Sequence, residues 1–149
     1  MMGHYLPRGV QLALAIYVFI FYAKAMKGYI MNEEWKKLYD IAFGKINPHE
    51  ISENMYVGGV AAAVLTKKGN IYTGVCIDTS SSLGMCAERN ALSTMIANGE
   101  NEVDKVLSVY KDGTVMPPCG ACREFMMQLG TTAKKIQILI DNRSFQDKC

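Results

Sequence analysis

The sequence predicts an α/β fold, a three-layer α/β/α sandwich built on a mixed sheet. Three observations carry that expectation. The chain has 149 residues, half of them apolar, enough for one domain with a real core. Two apolar, β-compatible runs flank the turn Lys67-Lys68-Gly69-Asn70, as in a hairpin. Beyond that hairpin a helical pattern precedes a strand pattern twice. Strands separated by helices favour parallel pairing with helices on the sheet faces.

Asn32 is placed to cap a first helix, with Trp35, Leu38, Tyr39 and Ala42 on one face at helical spacing. Gly44 and Asn47-Pro48 end it. Tyr56 to Thr66 and Ile71 to Ile77 are the hairpin strands. Ser80-Ser81-Ser82 is a loop leading to Cys86, where a second helix begins with Ala91, Leu92, Met95 and Ile96 as its apolar stripe. Asn98-Gly99 stops it. Val103 to Tyr110 is a third strand, and Asp112-Gly113 turns the chain. Pro117-Pro118 prepare a third helix from about Cys119 to Leu129, stopped by Gly130. Ile136 to Ile140 is a fourth strand. His49 falls in a loop. Trp35 and Tyr39 read as core anchors, and Met126 and Met127 as packing or subunit contacts.

The net charge is +2, from 16 basic and 14 acidic residues, and no run of like charge exceeds two. That balance argues against a surface held by phosphate contacts, so nucleic acid is not expected as a partner. There are five cysteines. An odd count, three of them in metal-like spacing, fits a reducing compartment better than a disulfide framework, and cytoplasmic location is expected. His4 and His49 stand far from the cysteine motifs, so an all-thiolate metal site is the simplest reading.

Cys86-Ala87-Glu88, followed 33 positions after Cys86 by Cys119-Gly120-Ala121-Cys122 behind Pro118, supplies three thiols and one carboxylate. Three protein ligands leave a fourth position on zinc open for water, and zinc lowers the pKa of that water. A glutamate two residues from a ligand is close enough to move the water's protons. The pattern is the known zinc-deaminase signature, with the glutamate as general acid/base. Both motifs open helices, whose N-terminal N–H groups stabilise thiolate. Cys119 and Cys122, at i and i+3, share one face of a first turn. Three thiolates and Zn²⁺ sum to a negative charge, which a guanidinium bonded to the sulfurs would offset; Arg89 and Arg123 both stand in position to do so. Cys-x-x-Cys alone would equally suit a redox pair or half of a structural zinc site. Structural sites use four protein ligands, and no convincing fourth stands nearby.

From Trp35 to Ile140 the chain resembles the cytidine deaminase superfamily, in its small nucleoside-deaminase branch. The landmarks are Cys86-Ala87-Glu88-Arg89-Asn90-Ala91, Pro118-Cys119-Gly120-Ala121-Cys122-Arg123-Glu124 and the hairpin Val60 to Gly74. The resemblance implies one Zn²⁺ per subunit on Cys86, Cys119 and Cys122, Glu88 as proton shuttle, and Arg89 bonded to the sulfurs. It also implies a homotetramer with active sites near subunit contacts, and backbone contacts to substrate from Ala87 and Cys119. The implied reaction turns cytidine or deoxycytidine into uridine or deoxyuridine with release of ammonia, a step of pyrimidine salvage. Cysteine where polynucleotide-acting branches resemble a His-x-Glu form favours a small free nucleoside.

Three features depart from the family pattern. Its Asn-Phe, which holds the pyrimidine in the first strand, is here about Val57-Gly58. Its Asn-x-Glu, which holds the ribose hydroxyl, is here Cys76-Ile77-Asp78. Cys76 cannot supply an amide's paired donor and acceptor, and Asp78 keeps a shorter carboxylate. With Ile51-Ser52-Glu53-Asn54, this altered pocket resembles blasticidin S deaminase, which makes a modified cytosine nucleoside the alternative substrate. Cys76, Asp78, Val57 and Ala87 are therefore the expected substrate contacts. The family also continues past the fourth strand with a short helix and a final strand. This sequence stops at Cys149, so the last strand is expected to be missing or that part of the pocket to be built differently. A reading of another class is a non-catalytic zinc-binding assembly protein, which would have no need of Glu88.

Residues 1–30 form an apolar extension, and 31–149 the deaminase-like domain. Leu12 to Tyr22 is an unbroken apolar run after Arg8 and before Ala23-Lys24-Ala25. It mimics a signal peptide but is shorter than the roughly 18 residues of a membrane span. Met31-Asn32-Glu33-Glu34-Trp35 reads as an ordinary start, so the extension is a mis-called start or dispensable segment, second a membrane-associated segment, and third a cleaved signal. Thiolates on zinc suit a reducing interior, and a membrane is not expected as a partner.

Overall fold

The structure, a computed structural model, describes residues 16–17 and 33–141. Chain contacts divide the molecule into Met1–Glu34 and Trp35–Cys149. In the first unit Ile16 and Tyr17 are helical and exposed. The rest of the apolar run Leu12–Tyr22, the start expected at Met31, and Cys149 lie outside the described residues. So does everything past Asp141, where the final strand of the resemblance would follow. Among the described residues no helix is long and apolar enough to cross a membrane.

The second unit is a mixed sheet between two helical layers. Its strands are β1 (His49–Ser52), β2 (Met55–Thr66), β3 (Ile71–Thr79), β4 (Val103–Tyr110), β5 (Val115–Met116) and β6 (Gln137–Ile138). Helix α1 covers residues 33–43, α2 is Ala87–Ala97 and α3 is Gly120–Met127. Strand β2 is the spine, with β3 antiparallel along one edge and β1 and then β4 antiparallel along the other. β3 and β4 therefore run parallel with β2 between them, joined through α2. β4 and β6 are parallel neighbours, joined through α3. The expectation that helix-separated strands run parallel is met in both cases.

Helix α1 buries Trp35, Leu38 and Ala42 against Ala63, Leu107, Val109, Val115 and Leu139. On the opposite sheet face, Ala87, Ala91, Leu92 and Met95 of α2 join Cys122 and Met126 of α3 over Ala62, Val64 and Val106. β2 is buried on both sides because its small side chains, Ala61, Ala62 and Ala63, let each helical layer come close. Tyr39 donates its hydroxyl to the Gly113 carbonyl at 2.9 Å, tying α1 to the β4–β5 turn.

Several expectations are corrected. Ile96 is 45 % exposed: at 100° per residue it falls outside the arc of Ala91, Leu92 and Met95. The strand expected over Ile136–Ile140 shrinks to Gln137–Ile138, because β5 already occupies the same edge of β4 at Ser108 and Val109. His49 is not in a loop but opens β1, facing solvent. α3 stops at Met127, two residues short of the expected end. Met126 is buried as packing, while Met127 is exposed.

Helix α2 is pressed onto β3 at Gly74. A Cβ there would lie 2.3 Å from the Ala91 nitrogen and 2.7 Å from the Ala87 carbonyl oxygen. Neither backbone atom can yield without moving the helix. Gly74→Ala is therefore expected to destabilise by about 3 kcal/mol, at the upper end for overpacked cores, as read by urea unfolding.

At the far end of α2, Glu100 accepts from Asn70 Nδ2 at 2.6 Å and Tyr72 Oη at 2.9 Å. Bonds from Thr66 and Asn70, with that from Tyr72, hold its carboxyl below the ordinary range. Burial alone would raise Asp104, but the Lys67 and Lys105 ammonium groups outweigh it and hold it low as well. A carboxylate depressed in the folded state stabilises above its unfolded pKa, and the gain is lost as pH falls through the folded value. Stability should thus be flat near neutrality and fall as pH drops below the ordinary carboxylate range. The fall should be shallower in Glu100→Gln, measured by urea unfolding across acid pH. An identical slope in the variant would remove Glu100 from that account.

Candidate active site

The starts of α2 and α3 converge on one edge of a cleft. Cys86 precedes α2 in extended conformation, with φ −66° and ψ 152°. Cys119 precedes α3 in the same way, with φ −67° and ψ 170°. Cys122 lies one turn into α3 and is fully buried. Cys119 Sγ stands 3.5 Å from both Cys86 Sγ and Cys122 Sγ, and all three sulfurs lie within 4.8 Å of one another. None is in a disulfide.

The donor set fits zinc. Tetrahedral bonds of about 2.3 Å require sulfurs about 3.8 Å apart, close to the separations seen. Burial works against the Cys119 thiolate, but the Cys122 and Ala121 amides at the start of α3, with the neighbouring thiols, bring its pKa down. Cys122 is pushed strongly up, first by burial and then by the charge of Glu88. Three thiols this close cannot all ionise without a cation among them.

The guanidinium of Arg89 lies against Cys86 and Cys122. Hydrogen bonding to Cys86 raises its pKa, against burial, and the charges of Cys86 and Cys122 add to the effect. Its Nη2 donates to the Gly84 carbonyl at 3.5 Å, and its Nε is buried. Arg123 is exposed, which leaves Arg89 as the cation beside the sulfurs.

The cleft has a volume of about 430 Å³, and Cys86, Glu88 and Cys119 line it. Glu88 is 5 % exposed, and its Oε1 accepts from the Ser108 hydroxyl at 3.3 Å. Val60, Ile77, Met85, Met116 and Pro117 give the cleft apolar walls. Ala87, Cys76 and Asp78 also line it. Val57 does not: it is buried beside β1 and β3, and Val60 takes its place. The cause is a register irregularity between Val57 and Ala61, where Gly58 has φ +79° and the alternation of faces breaks. Cys76 Sγ accepts the Val60 N–H at 3.2 Å and lies 3.6 Å from Asp78 Oδ2. Burial pushes its pKa up, so it remains a thiol. Ser108, Thr79 and Met116 were not singled out from the sequence. A lone serine in an apolar strand gives no periodic signal.

Residues 37–139 match the family described as the cytidine and deoxycytidylate deaminase zinc-binding region. The chain belongs to this family. It is 36 % identical over 80 residues to a cytidine deaminase of Halalkalibacterium halodurans, an alignment covering 53 % of this chain and 61 % of that protein. It is 30 % identical over 110 residues to the blasticidin-S deaminase of Bacillus cereus, covering 68 % of this chain and 76 % of that one. A probable cytidine deaminase of Dictyostelium discoideum is 39 % identical over 74 residues, half of its length. The solved cytidine deaminase of Mycobacterium leprae superposes with a TM-score of 0.61 at 27 % identity, covering 71 % of this chain and 87 % of that chain. The fold and the zinc-binding region are thus those of this deaminase family.

Metal content tests the trio. The parent should hold one zinc per chain. Cys119→Ser and Cys122→Ser should each weaken binding more than a hundredfold, beyond the roughly 10–100-fold of outer-shell changes, by competition with a chromogenic chelator. Parent-like affinity in either variant would remove that residue from the metal site.

Proposed function

We propose that the protein hydrolyses cytidine and deoxycytidine to uridine and deoxyuridine with release of ammonia. The observation that carries this reading is the buried Glu88 carboxylate, in the same cleft as Cys86 and Cys119. A zinc site that only stabilised a fold would have no need of it. When bound by Cys86, Cys119 and Cys122, zinc acts as a Lewis acid and lowers the pKa of a coordinated water. Glu88 takes a proton from the water that attacks ring C4 and delivers it to N3. It then takes the remaining proton from the hydroxyl formed at C4 and passes it to the departing amine, leaving the C4 carbonyl and ammonia. Arg89 offsets the excess negative charge of three thiolates.

The apolar walls suit the two faces of a pyrimidine. Asp78 is placed to accept a sugar hydroxyl, steadied by the neutral thiol of Cys76. Ala87 and Cys119 would offer backbone N–H groups to the substrate. Among the described residues lining the cleft, Asp78 and Glu88 are the charged ones. Both repel phosphate, which favours a nucleoside over deoxycytidylate. In this reading residues 31–149 are the catalytic domain, residues 1–30 an apolar extension, and free thiolates suit a cytoplasmic enzyme. The family resemblance supports a homotetramer.

A second reading, deamination of blasticidin S or another modified cytosine nucleoside, is supported by the Bacillus cereus relative and by Cys76 and Asp78 standing where the family carries an amide and a longer carboxylate.

Ultraviolet absorbance of cytidine with zinc-loaded protein decides between them. Turnover is expected, with kcat falling about a thousandfold in Glu88→Gln, within the range for general acid–base groups. No cytidine turnover by protein holding one zinc, with turnover of blasticidin S, would select the second reading. Inertness towards both would leave a zinc-binding assembly protein.

A further inference from the structure

Ser108 is the one hydroxyl in a stretch of β4 where Val106, Leu107 and Val109 are buried to 1 % or less, and Ser108 itself is 2 % exposed. A hydroxyl buried so deeply is costly unless it is hydrogen-bonded. Its Oγ reaches two acceptors, Glu88 Oε1 at 3.3 Å and the Met116 carbonyl at 3.0 Å. A hydroxyl has one proton, so the two acceptors share it.

The Met116 carbonyl is fixed by strand register, since Ser108 pairs with Met116 across β4 and β5. Three residues beyond Met116 the chain delivers Cys119. Glu88 comes from the first turn of α2. Ser108 therefore joins the carboxylate carried by α2 to the backbone that carries Cys119. Among the described residues it is also the side chain that hydrogen-bonds Glu88. A glutamate has three side-chain torsions, and this hydrogen bond restrains where its carboxylate lies.

We propose that Ser108 is a positioning residue for Glu88, setting the aim of its carboxylate across the cleft. This rests on the deaminase reading above. Misplacing a reacting group by about an ångström costs up to roughly a hundredfold in rate. Losing one of the restraints on Glu88 should therefore lower kcat about tenfold. Substrate contacts and metal ligands are untouched, so KM should stay within about twofold and zinc content at one per chain. Threonine keeps the hydroxyl and should restore most of kcat.

The test compares zinc-loaded wild type, Ser108→Ala and Ser108→Thr for kcat, KM and zinc content. It adds a thermal-unfolding cycle of wild type, Ser108→Ala, Glu88→Ala and the double variant. Ser108→Ala should lower Tm by at least about 3 °C more with Glu88 present than with Glu88→Ala. Unchanged kcat in Ser108→Ala, a loss confined to KM or zinc content, or an additive Tm cycle would each overturn the proposal. So would a folded Ser108→Thr with no recovery; if that variant fails to fold, the alanine data decide alone. A wild type inert on both cytidine and blasticidin S fails the deaminase reading, while the Tm cycle still decides whether Ser108 holds Glu88.

Discussion

Helix α2 sits so close to β3 that no side chain fits between them at Gly74. This contact fixes the depth and rotation of the helix, and four consecutive residues at the helix start depend on it. Cys86 sends its sulfur to the trio, Ala87 packs into the core, Glu88 turns into the cleft and Arg89 lies against the sulfurs. A shift along the helix axis by one residue would move each by 1.5 Å and turn it by 100°. The small residues of β2 and the donation of Asn90 Nδ2 to the Val75 carbonyl at 2.9 Å hold the same contact from two more directions.

With the helix starts fixed, the site's electrostatics follow. Exposed Cys119 is eased towards thiolate by the amides that open α3. Buried Cys122 is driven the other way by desolvation and by the carboxylate of Glu88. That imbalance is what three crowded sulfurs and a nearby carboxylate impose when only Arg89 opposes them. A divalent ion reverses it, because a coordinating thiol is deprotonated outright.

The parts of the site legible in the sequence are those where residue type and spacing both carry chemistry. Cysteine is scarce, and three at these intervals with Glu88 have few other uses. The fold was legible where patterns were long, in the hairpin, the helices and β4. β1 and β5 escaped because strands of four and two residues show too little alternation to read. Val57 was misplaced because the irregularity after it switches which side chains face the cleft, and a bulge leaves little trace beyond a glycine. Ser108 was invisible because its role depends on Met116 and Glu88 meeting it in space, from segments 8 and 20 residues away.

The cleft's weakest recognition lies opposite its strongest chemistry. On the sulfur side, Glu88 is buried and tethered. On the Asp78 side, the carboxylate is exposed and its neighbour is a thiol that accepts one amide hydrogen and points at Asp78. A pocket built around a substrate hydroxyl rejects analogues lacking it because its own buried groups are left unpaired. Asp78 is exposed, so water can satisfy it when such a hydroxyl is absent, and the penalty that enforces discrimination is small. Under the proposed deamination, this arrangement favours tolerance in the sugar portion of a cytosine nucleoside, with the apolar walls left to hold the ring. That tolerance is compatible with similarity to both cytidine deaminases and a blasticidin-S deaminase.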